Sequence, residues 1–161
     1  ILGTIETSPL YGKYHWDGHA GCNFSCSPEE ALKLNNICPV CHKKLTIGVE
    51  HRVEELADQN TDSRKNRKQF YTLLPLHELI ALVKGSTLES QKTWQSYNSL
   101  IKEFGAELNI LLNVEKEKLA RIDEKLADLI IFNRNGKVKI KPGFDGQYGK
   151  AILQEKQAKL L

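Results

Sequence analysis

Four cysteines, the only ones in the chain, lie between positions 22 and 41 in two close pairs. The first reads Cys22-Asn23-Phe24-Ser25-Cys26; eleven residues later comes Cys38-Pro39-Val40-Cys41. C-x3-C followed by C-x2-C is the spacing of a structural zinc site. Each pair presents two thiolates from one tight turn, and the intervening segment returns the second pair to complete a tetrahedron, with Zn–S bonds of about 2.3 Å. The expected ligands are therefore Cys22, Cys26, Cys38 and Cys41, holding one structural zinc ion. The competing reading is two disulfides, which suits a small secreted protein. His15 or His19 in place of one cysteine is a further alternative.

The elements around the pairs must place them. Ser27-Pro28-Glu29-Glu30 is a helix start: Ser27 as N-cap, Pro28 at the first helical position, Glu30 at the capping-box position. Asn35-Asn36 ends that helix. The backbone after the second knuckle tends toward positive φ; His42 stands there, a residue type that tolerates it.

Upstream, Tyr11 to His19 is a loop dense in aromatic, histidine and glycine residues. Either Tyr14 and Trp16 pack onto the zinc module, or the loop stacks on bases and bonds phosphates. Downstream, Leu45–Val49 reads as a strand and Glu50–Asp58 as a short helix with Val53, Leu56 and Ala57 on one side. His51 and Arg52 open that helix, where backbone N–H groups favour anions. Residues 59–69 are polar and carry Arg64, Lys65, Arg67 and Lys68, either a solvated loop or a phosphate-contacting segment.

The rest is mostly helical. Leu76, Leu79, Ile80 and Val83 repeat at helical spacing before Gly85. Thr87–Phe104 is a second helix, whose Trp94, Tyr97, Ile101 and Phe104 are expected in the core. Residues 108–114 fit helix or strand. Glu115–Arg134 is a third helix. Val138 onward reads as a hairpin around Pro142–Gly149, and its three glycines offer backbone N–H groups to a phosphate. Three parts follow: a zinc module over 1–60, a basic linker over 61–69, and a helical domain with a glycine-rich hairpin over 70–161. The expected class is α+β, mostly helical: a small zinc module with short strands, then an antiparallel helical domain.

With 161 residues, 40% hydrophobic content and net charge +3, the chain has a modest core and permits, without requiring, a nucleic-acid partner. The clustered cysteines suit a reducing, cytoplasmic compartment. No membrane-length apolar run or signal peptide is evident. The chain opens Ile1-Leu2-Gly3 and contains no methionine, which reads as a piece of something longer. There is no Walker A sequence, HExxH pattern or catalytic triad, so the residues alone describe a zinc-stabilised binding module.

Several stretches occur together in one order: Gly12-Lys13-Tyr14-His15, Asp17-Gly18-His19, Ser27-Pro28-Glu29-Glu30, Cys38-Pro39-Val40-Cys41, Leu45 to Val49, His51 to Ala57, Leu74-Pro75-Leu76, Phe104-Gly105 and Pro142 to Gly149. The series resembles the C-terminal half of endonuclease Q, a DNA-repair nuclease; relatives are often labelled UvrD-type helicases. The resemblance implies an N-terminal PHP domain, outside this chain, that carries the catalytic divalent metals and nicks DNA 5′ of deaminated bases (uracil, hypoxanthine) and at abasic sites. This chain would grip duplex DNA, with no catalytic residue of its own and no membrane contact. His19, Asn23, Ser25 and Ser27 would supply hydrogen bonds to a deaminated base. Lys13, Tyr14, His15, His51, Arg52, Gly146 and Tyr148 are the remaining candidate contacts. His42 replaces a usual glycine and Phe144 a usual tyrosine. Two other readings compete: a zinc-ribbon module docking a replication or repair protein, and an accessory region of a helicase.

Overall fold

A computed structural model describes residues 3–57 and 69–152. The architecture is α+β, mostly helical, with short strands, as expected. Two compact units divide the chain: Pro9–Arg67 with Ile140–Lys150, and Ile1–Ser8, Lys68–Lys139 and Ala151–Leu161. The glycine-rich stretch thus packs with the cysteine-bearing segment, whereas the sequence division grouped it with the helices.

In the cysteine unit, β2 (Asp17–His19) pairs antiparallel with β3 (Phe24–Cys26), placing Asp17 opposite Cys26 and His19 opposite Phe24; β1 is the strand Gly3–Glu6 of the other unit. The two strands are joined by a single 3-10 turn, Ala20–Cys22, closed by Asn23 in the left-handed region (φ 49°). Helix α1 (Pro28–Lys33) carries the full capping box between Ser27 and Glu30, with Pro28 in its first turn. The expected strand Leu45–Val49 does not form. Thr46 makes one isolated bridge to Gly18, and Val49 already begins helix α2 (Val49–Leu56).

Helix α2 is mounted by a polar pair. His51 is its one buried residue, and His51 Nδ1 lies 2.5 Å from Oδ2 of the buried Asp17. Asp17 Oδ1 accepts the Gly48 N–H at the helix start. Gly48 is required there: a Cβ would sit 2.4 Å from the His15 carbonyl oxygen. Val53, Leu56 and Ala57, the expected apolar side, are all exposed, as is Val49. They point away from the face that the Asp17–His51 pair holds down.

In the helical unit, β1 pairs parallel with β4 (Gln69–Thr72). Helices α3 (Leu76–Lys84), α4 (Gln91–Phe104), α5 (Glu107–Leu112), α6 (Lys116–Ala120) and α7 (Glu124–Arg134) follow. Residues 107–112 are thus helix, not strand. The expected third helix is broken in two, because Asp123 turns out of helical geometry and caps α7 by accepting the Leu126 N–H at 3.0 Å. Gly85 takes the left-handed C-cap conformation that the sequence suggested (φ 59°). Leu76, Leu79, Ile80, Leu100, Ile110 and Ile130 form the centre of the core. Two polar side chains complete it. Buried Asn133 bonds both the N–H and the carbonyl of Leu74 (2.9 and 3.0 Å), and Arg134 donates to the carbonyls of Ile110, Leu111 and Val114. Trp94, expected in the core, is 43% exposed, because the face α4 buries runs through Thr93 and Leu100. The chain ends its described part in β5 (Lys139–Lys141) paired with β6 (Lys150–Ile152), the expected hairpin.

Candidate metal centre and nucleic-acid interface

The 3-10 turn after β2 and the Cys38–Cys41 knuckle bring four ligand atoms together, from His19, Cys22, Cys38 and Cys41. All lie within 4.8 Å of one another, and Cys41 Sγ is 3.3 Å from His19 Nδ1. One imidazole nitrogen with three sulfurs is a donor set that zinc accepts in tetrahedral geometry. The knuckle folds as such turns do: His42 N–H returns to the Cys38 carbonyl at 2.9 Å, with His42 at φ 58°. Desolvation pushes the Cys38 thiol up, but the backbone N–H groups of Cys41 and Val40 together with the Cys41 and Cys22 side chains outweigh it and hold the thiol below its ordinary value. Cys22 moves the other way, to about 11, through its hydrogen bond with Cys41, desolvation and the nearby sulfurs. All four cysteines are free thiols, so the disulfide alternative does not hold.

Cys26, the expected fourth ligand, is not in the group. It is buried on β3 and packs with Ala31, Cys38 and Leu45 as an apolar side chain. Burial, helped by the charges of Asp17 and Glu30, pushes its thiol up to about 11. The signal for His19 was legible: His19-x2-Cys22 repeats the spacing of Cys38-x2-Cys41, whereas Cys22-x3-Cys26 does not.

Asp145 ties the glycine-rich turn to this centre. Its carboxylate accepts the Ala20 N–H at 2.6 Å and the Thr46 hydroxyl at 2.7 Å. The Ala20 N–H is the main cause that holds its carboxyl below the usual range. Sequence reasoning did not find Asp145, Thr46 or Asp17, since each acts on a partner 31 to 125 positions away.

The candidate nucleic-acid contacts divide. Lys13, Tyr14 and Tyr148 meet, with Lys13 Nζ 5.6 Å from the Tyr14 ring centre and 5.9 Å from that of Tyr148. Both rings are well exposed. Gly146 is beside them, but its N–H donates to the Lys13 carbonyl at 2.9 Å. Gly143 and Gly149 likewise donate to Leu10 and Tyr11. The turn therefore has no spare glycine N–H for a phosphate. Glycine is needed for close approach instead: a Cβ on Gly149 would lie 2.3 Å from the Leu10 carbonyl oxygen. His51 is buried against Asp17 and presents almost no surface to a nucleic acid. His15 Nε2 is 3.1 Å from Glu50, and exposed Arg52 pairs with Glu55 at 2.7 Å. His19 belongs to the metal group and Ser27 to the α1 cap. Asn23 is exposed, and Ser25 lines a cavity of about 440 Å³ with Phe24, Cys26, Glu30, Lys33, Leu34 and Pro39. Arg64, Lys65, Arg67 and Lys68 lie outside the described residues. Among the described residues no helix is long and apolar enough to cross a membrane.

Residues 75–137 match the family model of the MJ0043 C-terminal domain. The chain is 35% identical to the uncharacterized protein MJ0043 of Methanocaldococcus jannaschii over 93% of its own length and 19% of that protein. It is 33% identical to the uncharacterized protein YqxK of Bacillus subtilis, again over 93% of itself and 35% of the relative. Among solved structures, the lesion-specific endonuclease Q of Pyrococcus furiosus matches 96% of the chain with TM-score 0.83 and 34% identity. An endonuclease Q bound to a 27-mer duplex with an abasic lesion at its active site matches 99%, with TM-score 0.81 and 33% identity. The chain spans 38% and 40% of those two structures. Over nearly its whole length the chain is similar, in fold and in a third of its residues, to a C-terminal part of endonuclease Q.

Proposed function

We propose that this chain is the DNA-gripping, lesion-recognising part of an endonuclease Q-type repair enzyme. The observation that carries the reading is the likeness, at one-third identity, to an endonuclease Q held on an abasic duplex. In this reading one zinc ion on His19, Cys22, Cys38 and Cys41 fixes the turn from which Asn23 and Ser25 project. Lys13, Tyr14 and Tyr148 form a cationic and aromatic surface for the phosphate backbone and sugar edges. A deaminated base, uracil or hypoxanthine, enters the cavity beside Ser25. Its new carbonyl accepts a hydrogen bond there from Ser25 or Lys33, which an amino group in that position cannot do. The nicking chemistry and its divalent metals belong to a PHP domain outside this chain, and the enzyme works in the reducing cytoplasm. The domain division 1–60, 61–69 and 70–161 is retained for this reading with residues 140–150 joined to the first part.

Binding of the chain to duplexes that differ by one uracil, hypoxanthine or abasic site, at low and moderate salt and with or without a zinc chelator, tests it. Lesion preference that chelation removes is expected. Equal, salt-insensitive binding to all duplexes, or none, would overturn it. A second reading has one observation in its favour. The outward Val49, Val53 and Leu56 of α2 suit a protein partner, such as a replication or repair factor.

A further inference from the structure

Trp94, Tyr97 and His77 form a cluster in the helical unit that the grip described above does not use. Trp94 stacks on His77 with ring centres 5.8 Å apart and planes 11° from parallel. Tyr97 meets Trp94 edge-on at 5.1 Å and 63°. The cluster is framed from beneath. Tyr97 donates its hydroxyl to Glu107 Oε2 at 2.8 Å, and Glu107 Oε1 accepts the N–H of Leu76, the neighbour of His77, at 2.7 Å. Glu107 thus clamps both α3 and α4, and both oxygens of its carboxylate are engaged. Trp94 remains 43% exposed within this frame.

An indole held in plane by two neighbours, yet open to solvent, loses little side-chain freedom when another ring lands on it. Its exposed surface is aromatic, unlike the aliphatic stripe of α2, so it suits a flat π-system. The similar endonuclease Q is bound to a substrate that supplies one. An abasic site removes a base and leaves its opposite number without a pairing partner. An unpaired base gains from stacking on an aromatic side chain whatever its identity, since every base has a π-face.

We propose that His77, Trp94 and Tyr97 form a stacking site for an unpaired nucleobase. The proposal rests on the DNA-gripping reading and extends it to the helical unit. Trp94 supplies the platform; His77 and Tyr97 are positioning residues that fix its plane.

The test measures binding of the whole chain, by fluorescence anisotropy, to one labelled duplex with and without a single abasic site. Trp94→Ala is expected to weaken the abasic duplex about tenfold or more and to leave the intact duplex unchanged. Trp94→Phe, which keeps a ring, is expected to retain most of the affinity. In a Trp16→Phe background, Trp94 emission is expected to be quenched by the abasic duplex and not by the intact one. Circular dichroism checks that the variants stay folded. If wild-type chain binds neither duplex, the DNA-gripping reading falls and this site with it. If wild-type chain binds both, but Trp94→Ala costs nothing or costs the two equally, the stacking site alone is overturned.

Discussion

The cysteine unit and the helical unit bury different things. Among the described residues of the cysteine unit the large buried apolar side chains are Leu45 and Phe144, and the small core around Leu45 is made of Cys26, Ala31 and Cys38. Its order comes from polar bonds, the buried ones of Asp17 to His51 and Gly48 and the half-buried ones of Asp145 to Ala20 and Thr46. The helical unit centres on fully buried leucines and isoleucines from α3, α4, α5 and α7. Even its buried Asn133 serves the core, by pairing both polar groups of Leu74. A stretch too short to bury enough hydrocarbon must find its stability in chelation and polar geometry. Such a unit gains precise placement of exposed side chains and depends on every partner being present.

Metal removal gives the largest expected separation. Structural zinc contributes about 10–16 kcal/mol in small zinc-dependent folds at neutral pH. A chelator is expected to collapse the amide dispersion of residues 9–57 in NMR spectra while the α3 and α7 signals persist. His19→Ala and Cys38→Ala are expected to do the same without chelator. Concerted loss of both units on chelation would show that the helical unit has no stability of its own.

The converse perturbation is Leu79→Ala. Leu79 is completely buried in the helical core, and truncation there costs about 3 kcal/mol. Chemical denaturation is expected to show that loss in the helical transition, with zinc stoichiometry by elemental analysis unchanged. A fall in bound zinc would break the comparison.

What was legible in the sequence follows the same divide. Local devices were readable: the capping box at Ser27 and Glu30, the Gly85 stop, and the positive φ at His42. Asp123 was readable too, since an aspartate three positions before Leu126 is a helix start inside an otherwise continuous pattern. Apart from the helix break at Asp123 and the place of His19 in the metal group, both local signals passed over, the features that escaped are long-range. The apolar side of α2 faces outward because Asp17 grips His51 from another strand, which no periodicity in α2 records. Trp94 points outward because Thr93 and Leu100 claim the buried face of α4. The glycine N–H groups of 143, 146 and 149 are consumed by carbonyls of Leu10, Lys13 and Tyr11, more than 130 positions earlier.

Cys26 sharpens the picture at smaller scale. As a core thiol with its pKa raised to about 11, it behaves as a small apolar side chain and stays protonated. Cys26→Ala is expected to cost about 1 kcal/mol in stability and to leave one zinc per chain. His19→Ala is expected to lose the metal. Reversal of those two outcomes in a zinc titration would restore the four-thiolate centre.

The smallest expected effect is a pH dependence at Asp145. The Ala20 N–H and Thr46 hydroxyl favour its ionised form, so its folded pKa lies below the ordinary 3.8. A depressed carboxylate binds its proton more readily in the unfolded chain. Its contribution is therefore fully present above about pH 4 and is lost as pH falls through the folded value. The cysteine unit is expected to weaken in acid through this group as well as through protonation of the metal ligands. Asp145→Asn separates the two, since it removes the carboxylate and leaves the ligands intact. At neutral pH the variant should be mildly less stable than wild type, with zinc retained. In urea titrations carried well below pH 4 the two proteins should converge, because the wild-type advantage fades only as pH falls through the depressed folded value and Asp145 takes up its proton. A constant gap between them from pH 7 to 3 would show that the Asp145 bonds contribute no charge-dependent stability.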